Sequence, residues 1–206
     1  MIDAIDVQTV GARQLNGVRT LFDSERSTRH CWCMAFCSTG RQFAAGWYGG
    51  GNRRRFEAMT VAGTHPMGML ASIGGVPAGW CACGPRSRYV AAIGGRSALL
   101  ADLTRAEDDS VWLVACLFVA PGHRGTGTVM ALLRAAVALA GDQGAPAVEA
   151  WPLAAGVRKP DLTHVGTESV FARLGFERTA EPTAGRVLMR LQLGGAGDGR
   201  AVIGAR

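Results

Sequence analysis

Arg124-Gly125-Thr126-Gly127 follows a ten-residue apolar run, Val111–Ala120, and precedes a segment with helical apolar spacing, TVMALLRAAVALA. The run is too short to cross a membrane and has the length of a buried strand. Pro121 ends it, and Gly122, Gly125 and Gly127 allow a tight turn. A strand delivered through such a turn into a helix N-terminus gathers free N–H groups under the positive end of the helix dipole. That is chemistry for holding an anion. Two familiar anion loops are excluded. A Walker loop needs Lys-Ser/Thr after its last glycine, and Thr128-Val129 stands there. The dinucleotide fingerprint needs a third glycine where Met130 stands.

The elements that position this loop read as follows. A strand is predicted over residues 1–10, with Ile5, Val7 and Thr9 alternating. A helix follows over Val10–Phe22, with Leu15, Val18, Leu21 and Phe22 on one face. CWCMAF, Cys31–Phe36, belongs in or near the core, and Gly40–Gly51 reads as a loop. Asn52 suits the N-cap of a helix over 53–62 that turns Phe56 and Met59 inward. Met67–Ile73 and Val76–Cys83 form a hairpin about Gly74-Gly75. Gly94–Asp109 is a weakly patterned connection with a short helical piece near 98–105. After the central strand, loop and helix come a strand at Ala147–Trp151 and a loop over 152–166. A helix capped by Thr167 runs to Leu174, and strands follow at Phe176–Thr179 and Arg186–Leu193.

The segment Val119-x-Pro121-x-x-Arg124-Gly125-x-Gly127 resembles the acetyl-CoA loop of the GNAT superfamily of acyl-CoA N-acyltransferases. Phe171-x-x-x-Gly175-Phe176 is similar to that family's pattern near its C-terminal helix. The element order agrees. CWCM and the arginine-rich helix resemble a bacterial subgroup with a long N-terminal region. The resemblance implies an α/β fold of α+β type: a mostly antiparallel mixed sheet, splayed between two parallel strands, with helices on both faces. It implies one domain over 1–193, with an N-terminal region 1–66 and a core 67–193. Residues 194–206 read as a flexible tail.

By the same resemblance the substrates are acetyl-CoA and a primary amine. The backbone of Leu117, Phe118 and Val119 would pair with pantetheine, and the amide of Phe118 or Val119 would face the thioester oxygen. The amides of Arg124, Gly125, Thr126, Gly127, Thr128 and Val129 would hold the pyrophosphate, with Val129 crowding it where the family has Gly or Ala. Many members carry a glutamate on the central strand as base, but Trp112-Leu113-Val114 has none. Glu149 in the apolar context VEAW is the first candidate, since burial raises a carboxyl pKa. His164 is the second, and Asp161 is weaker. The tyrosine often used as acid is replaced by Phe171, which has no proton to donate; Ser169 or water would substitute. Arg86 and Tyr89 are expected on the acceptor side.

The acidic residues do not cluster as an aminoglycoside pocket would require, so a protein lysine is the expected acceptor. A small-molecule amine and a non-catalytic acyl-CoA sensor are the alternatives. The net charge of +6, almost all from arginine with Lys159 the only lysine, suits an anionic substrate. No nucleic-acid motif, signal peptide or transmembrane run is present, so a cytoplasmic protein without nucleic-acid or membrane partners is expected. A homodimer remains open. The six cysteines lack zinc-knuckle spacing, so buried thiols and no metal are expected.

Overall fold

The computed structural model describes residues 4–91, 107, 109–157 and 164–194. Seven strands form one sheet: β1 Ile5–Thr9, β2 Gly68–Ile73, β3 Val76–Pro85, β4 Trp112–Val119, β5 Ala147–Ala150, β6 Glu177–Thr183 and β7 Arg186–Gln192. Their order is β1-β2-β3-β4-β5-β7-β6. Every neighbouring pair is antiparallel except β4 and β5. The expected mixed sheet is therefore present. The short helical piece near 98–105 and the tail beyond 194 lie outside the described residues.

The helices divide between the two faces. α1 Leu15–Asp23, α2 Arg26–Arg29, α3 Gly40–Ala45 and α4 Gly51–Ala62 belong to the N-terminal region. On their face, Phe22, Trp32, Phe56 and Trp80 form an edge-to-face aromatic cluster with ring centroids 5.4–6.0 Å apart. This geometry suits the ring quadrupoles and ties α1, α4 and the CWCM segment to β3. α5 Thr128–Asp142 and α6 Glu168–Ala172 share the other face's core. There Leu132, Leu133, Ala136 and Ala140 of α5 are buried with Phe171 of α6.

Two local expectations change. The 40–51 stretch contains α3, whose start is a capping box: Thr39 Oγ1 accepts from Gln42 N–H, and Gln42 Oε1 accepts from Thr39 N–H. Asn52 is not the cap of α4. Gly50 holds that place in the left-handed region, and Asn52 is buried within the first turn. Its Nδ2 donates to His30 O at 2.9 Å and Phe43 O at 3.3 Å, pinning the segments before and after CWCM to α4. A side chain with a choice of acceptors took the tertiary ones.

β4 carries the irregularity that matters most. Its pairing with β3 steps from Ala82↔Cys116 to Cys83↔Val114, leaving Ala115 as an extra residue. Alternation fails there by one place. Leu113 and Ala115 face the aromatic cluster, and so do Cys116 and Phe118, while Val114, Leu117 and Val119 face α5.

Candidate active site

The loop after β4 is built as its residue types demand. Pro121–His123 makes a 3-10 turn, and Gly125 and Gly127 take φ of +76° and +88°, a region that disfavours side chains. A Cβ at either glycine would meet no atom within 4 Å, so the loop opens toward free space rather than packed protein. Thr126 Oγ1 donates to His123 O at 2.7 Å and lies 2.7 Å from the buried Thr128 Oγ1, which braces the turn. The N–H groups of the first turn of α5 have no partners within the helix and face this opening. A cavity of about 400 Å³ lies over the loop. Arg124 and Arg173 both border it. Arg173, just after α6, escaped the sequence reading; its place two residues beyond Phe171 in the Phe171–Phe176 segment was the available signal.

Beside this loop the sheet opens. β4 and β5 pair through Trp112↔Val148, Leu113↔Glu149 and Val114↔Ala150 and no further. Beyond Ala150 the chain turns away. Trp151, fully buried, sends its indole N–H to the carbonyl of the bulge residue Ala115 at 3.3 Å. Past that bond, Leu117, Phe118 and Val119 stay paired with β3 on one side only. A slot of about 330 Å³ runs along them, closed opposite by Gly166, Thr167 and Val170. Val129 borders both the slot and the loop cavity. Arg124 Nε reaches Val119 O at 3.4 Å and marks where the two meet.

On the aromatic face lies a larger cavity of about 480 Å³. Phe118 and His164 line both it and the slot. Their rings stack, with centroids 5.5 Å apart and planes 24° from parallel. Burial, and secondarily the charge of Arg124, hold the His164 pKa below its usual value. The imidazole is therefore neutral and able to take a proton at neutral pH. Aromatic rings dominate the remaining lining, with Ser27, Thr28 and the thiols of Cys31, Cys33 and Cys116 among them. No Asp, Glu, Lys or Arg is among the described residues lining this cavity.

The other candidates are placed elsewhere. Glu149 is fully buried on β5, and each oxygen meets a different guanidinium: Arg86 Nη1 at 3.0 Å and Arg190 Nη1 at 3.0 Å. Arg190 also reaches Glu107. Glu149 borders none of the three cavities. The surroundings of Glu149 are thus charged, not apolar, because Arg86 arrives from the 3-10 turn after β3 and Arg190 from the neighbouring strand β7, both distant in sequence. Arg86 and Tyr89, expected on the acceptor side, are both buried and border neither the slot nor the aromatic cavity. Phe171 is sealed against Phe176 at 5.3 Å. Ser169 sits on the exposed side of α6, 3.2 Å from Thr167 Oγ1. Asp161 lies outside the described residues. Among the described residues, no group of three or more His, Cys, Asp or Glu has the geometry to hold a metal. Nor is any described helix long and apolar enough to cross a membrane.

The profile described as the acetyltransferase (GNAT) family matches residues 35–176, most of the chain and all of the slot, the loop and the aromatic cavity apart from Phe22, Ser27, Thr28, Cys31 and Cys33. The chain belongs to the GNAT acetyltransferase family. Solved structures agree with this GNAT assignment at the level of fold. An N-acetyltransferase from Staphylococcus aureus Mu50 superposes with a TM-score of 0.53 at 11% identity, covering 92% of this chain and 98% of that one. The PaiA N-acetyltransferase of Thermoplasma acidophilum, solved with coenzyme A, gives 0.52 at 8% identity, covering 92% and 99%. An aminoglycoside N-acetyltransferase in complex with CoA gives 0.51 at 19% identity, covering 87% and 91%. No curated protein matches the chain. The GNAT family uses acetyl-CoA. The open glycine loop, the unpaired first-turn amides of α5 and two bordering guanidiniums suit its pyrophosphate, and the one-sided edge of β4 suits an extended amide chain.

Proposed function

We propose that this protein is an acetyl-CoA-dependent N-acetyltransferase acting on a primary amine. In this reading the amine occupies the aromatic cavity and His164 is the general base. The observation that carries it is that Phe118 and His164 line both the slot along β4 and the aromatic cavity. A thioester lying in the slot and an amine lying in the cavity would approach each other there, and juxtaposition supplies much of the acceleration in such transfers.

The chain's own groups have separable tasks in this scheme. The amides at the start of α5, with Arg124 and Arg173, bind the diphosphate. The free edge of Leu117–Val119 orients the pantetheine arm, and an amide at Phe118 or Val119 stabilises charge on the thioester oxygen. His164, neutral in its buried position, takes the proton of the attacking nitrogen. Water protonates the departing thiolate, since Phe171 has no hydroxyl and is sealed in the core.

The lining favours one acceptor class. With no carboxylate among its described lining residues, the aromatic cavity presents nothing there to a second or third cation, which argues against polyamines and aminoglycosides. Its enclosure by α1, α3 and the CWCM segment fits a small amine on an apolar or aromatic body better than a lysine on a folded protein. The test is free-thiol release from acetyl-CoA with a panel of benzylamine, phenethylamine, spermidine, an aminoglycoside and lysine peptides. Arylalkylamines are expected to give the highest kcat/KM. CoA binding with no acceptor-dependent thiol release would leave the sensor alternative and end the enzyme reading.

The loop assignment has its own test. Gly127→Asp places a carboxylate at the N-terminus of α5 in a conformation that disfavours side chains. Acetyl-CoA affinity measured by calorimetry is expected to fall by about 100-fold, since about 1–3 kcal/mol attends loss or reversal of a charge-assisted contact. Unchanged affinity in a folded variant refutes the placement.

A further inference from the structure

We infer that Cys33 is a nucleophile of this site, taking the acyl group from the thioester and handing it to the amine. The inference rests on the acyltransferase reading above and adds a covalent step to it. Cys33 lines the aromatic cavity together with Cys31 and Cys116, and Phe118, which lines the same cavity, borders the slot as well. The bulge at Ala115 makes this meeting possible. Without the extra residue, Cys116 would alternate onto the α5 face; with it, Cys116 and Phe118 look into the same cavity. On the other side, Trp32 and Cys33 both take positive φ, +49° and +56°, an arrangement that turns the Cys33 side chain toward β4.

A second, independent observation is the buried indole N–H of Trp80. Trp80 lines the cavity, is 1% exposed, and its Nε1 has no hydrogen-bond acceptor. Buried donors are rarely left so. Trp80 and Cys33 line the same cavity, and a thiolate at Cys33 is a far stronger acceptor for this N–H than a neutral thiol. The Cys116 thiol, which lines the same cavity, is the largest influence lowering the Cys33 pKa, and Arg88 adds positive charge. Together they outweigh burial and lower the Cys33 pKa, while Cys116 is driven up. The contrast within the chain is informative. Burial raises Cys31 to about 11, and Cys81, facing α5, is also pushed up. Reactive cysteines are those with thiolate character beside a reachable space, and Cys33 is the one that combines the two.

The chemistry balances without a further reactant. Cys33 enters as the thiolate, its proton lost to solvent, and forms a bond to the carbonyl carbon of the thioester. The bond from that carbon to the CoA sulfur breaks, and CoA leaves as a thiolate that water protonates. The neutral amine then attacks the acyl carbon on Cys33. The carbon–sulfur bond breaks, Cys33 returns as the thiolate, and His164 takes the proton from nitrogen.

The experiment uses the full chain, kept reduced, with acetyl-CoA and no acceptor. The expected result is a burst of free thiol equal to the enzyme and one acetyl group on the peptide carrying Cys33, removed by neutral hydroxylamine. Iodoacetamide is expected to modify Cys33 at a pH below the ordinary thiol value of about 8.5, and acetyl-CoA to protect it. Cys33→Ser should keep acetyl-CoA binding by calorimetry, lose the burst and transfer acetyl to phenethylamine about 100-fold more slowly. Cys116→Ala should move the alkylation profile to higher pH while leaving Cys33 as the modified residue. Turnover by the wild type with no acetyl on Cys33, or Cys33→Ser at the wild-type rate, overturns the cysteine step alone. Failure to bind acetyl-CoA overturns the acyltransferase reading and this inference with it.

Discussion

Replacing His164 with alanine is expected to lower kcat/KM for amine acetylation by about 100- to 10,000-fold, the usual range for removing a general base. His164 is stacked on Phe118 where the slot meets the aromatic cavity, within reach of both proposed substrates. Its electrical state follows from its surroundings. Burial first, and Arg124 second, disfavour the imidazolium and lower its pKa. A base works when unprotonated, so kcat/KM should rise with pH through a midpoint below the ordinary histidine value of about 6.5. Above that midpoint it should be flat with respect to this group. His164→Ala should abolish the rise and leave acetyl-CoA affinity close to wild type. An ascending limb of the same midpoint in the variant would remove His164 as base. Arg124→Gln should move the limb toward higher pH, because it removes a charge that opposes protonation. That shift should appear alongside weaker acetyl-CoA binding, since Arg124 also borders the loop cavity.

Glu149→Gln is expected to cost about 3–5 kcal/mol of stability, the range for removing one partner of a buried ion pair. Glu149 is wholly buried and is the shared acceptor for Arg86 and Arg190. A neutral amide leaves the fully buried Arg86 guanidinium facing a dipole in place of a charge. It also offers an N–H₂ group where two donors already point. The effect should appear as a large fall in the denaturation midpoint with little change in the slope against denaturant. Folded Glu149→Gln is expected to keep the wild-type pH–rate profile, because the carboxylate borders none of the slot, the loop cavity and the aromatic cavity. A changed acidic limb in a variant of wild-type stability would restore Glu149 as the base and overturn the structural role. The joint position of Glu149 on β5, between β4 and β7, explains the cost. It ties β5 to β7 through Arg190 and to the turn after β3 through Arg86.

What was legible from the chain alone were properties written in consecutive residues. The buried run before Pro121, the glycines that must take positive φ, and the periodic apolar face of α5 together determine an anion loop on a strand–helix turn. Phe171 to Gly175-Phe176 and the element order carried the family and its mixed sheet. The capping box at Thr39 and Gln42 was equally local and could have predicted α3. Other features depend on residues far apart in sequence. Asn52 reads as a cap until His30 and Phe43 offer it better acceptors. Glu149 reads as a desolvated carboxyl until Arg86 and Arg190, 63 and 41 residues away, come to its two oxygens. The bulge at Ala115 leaves no mark in VWLVACLFV, since every residue there is apolar on either face. Yet it decides that Cys116 shares a cavity with Phe118 and Cys33. Loop and fold were local, and so determined by the sequence. The ion pairs around Glu149, the place of His164 between two cavities and the placing of Cys33 beside Cys116 were decided by the tertiary structure, because a side chain's charge state and reach depend on what the folded sheet brings beside it.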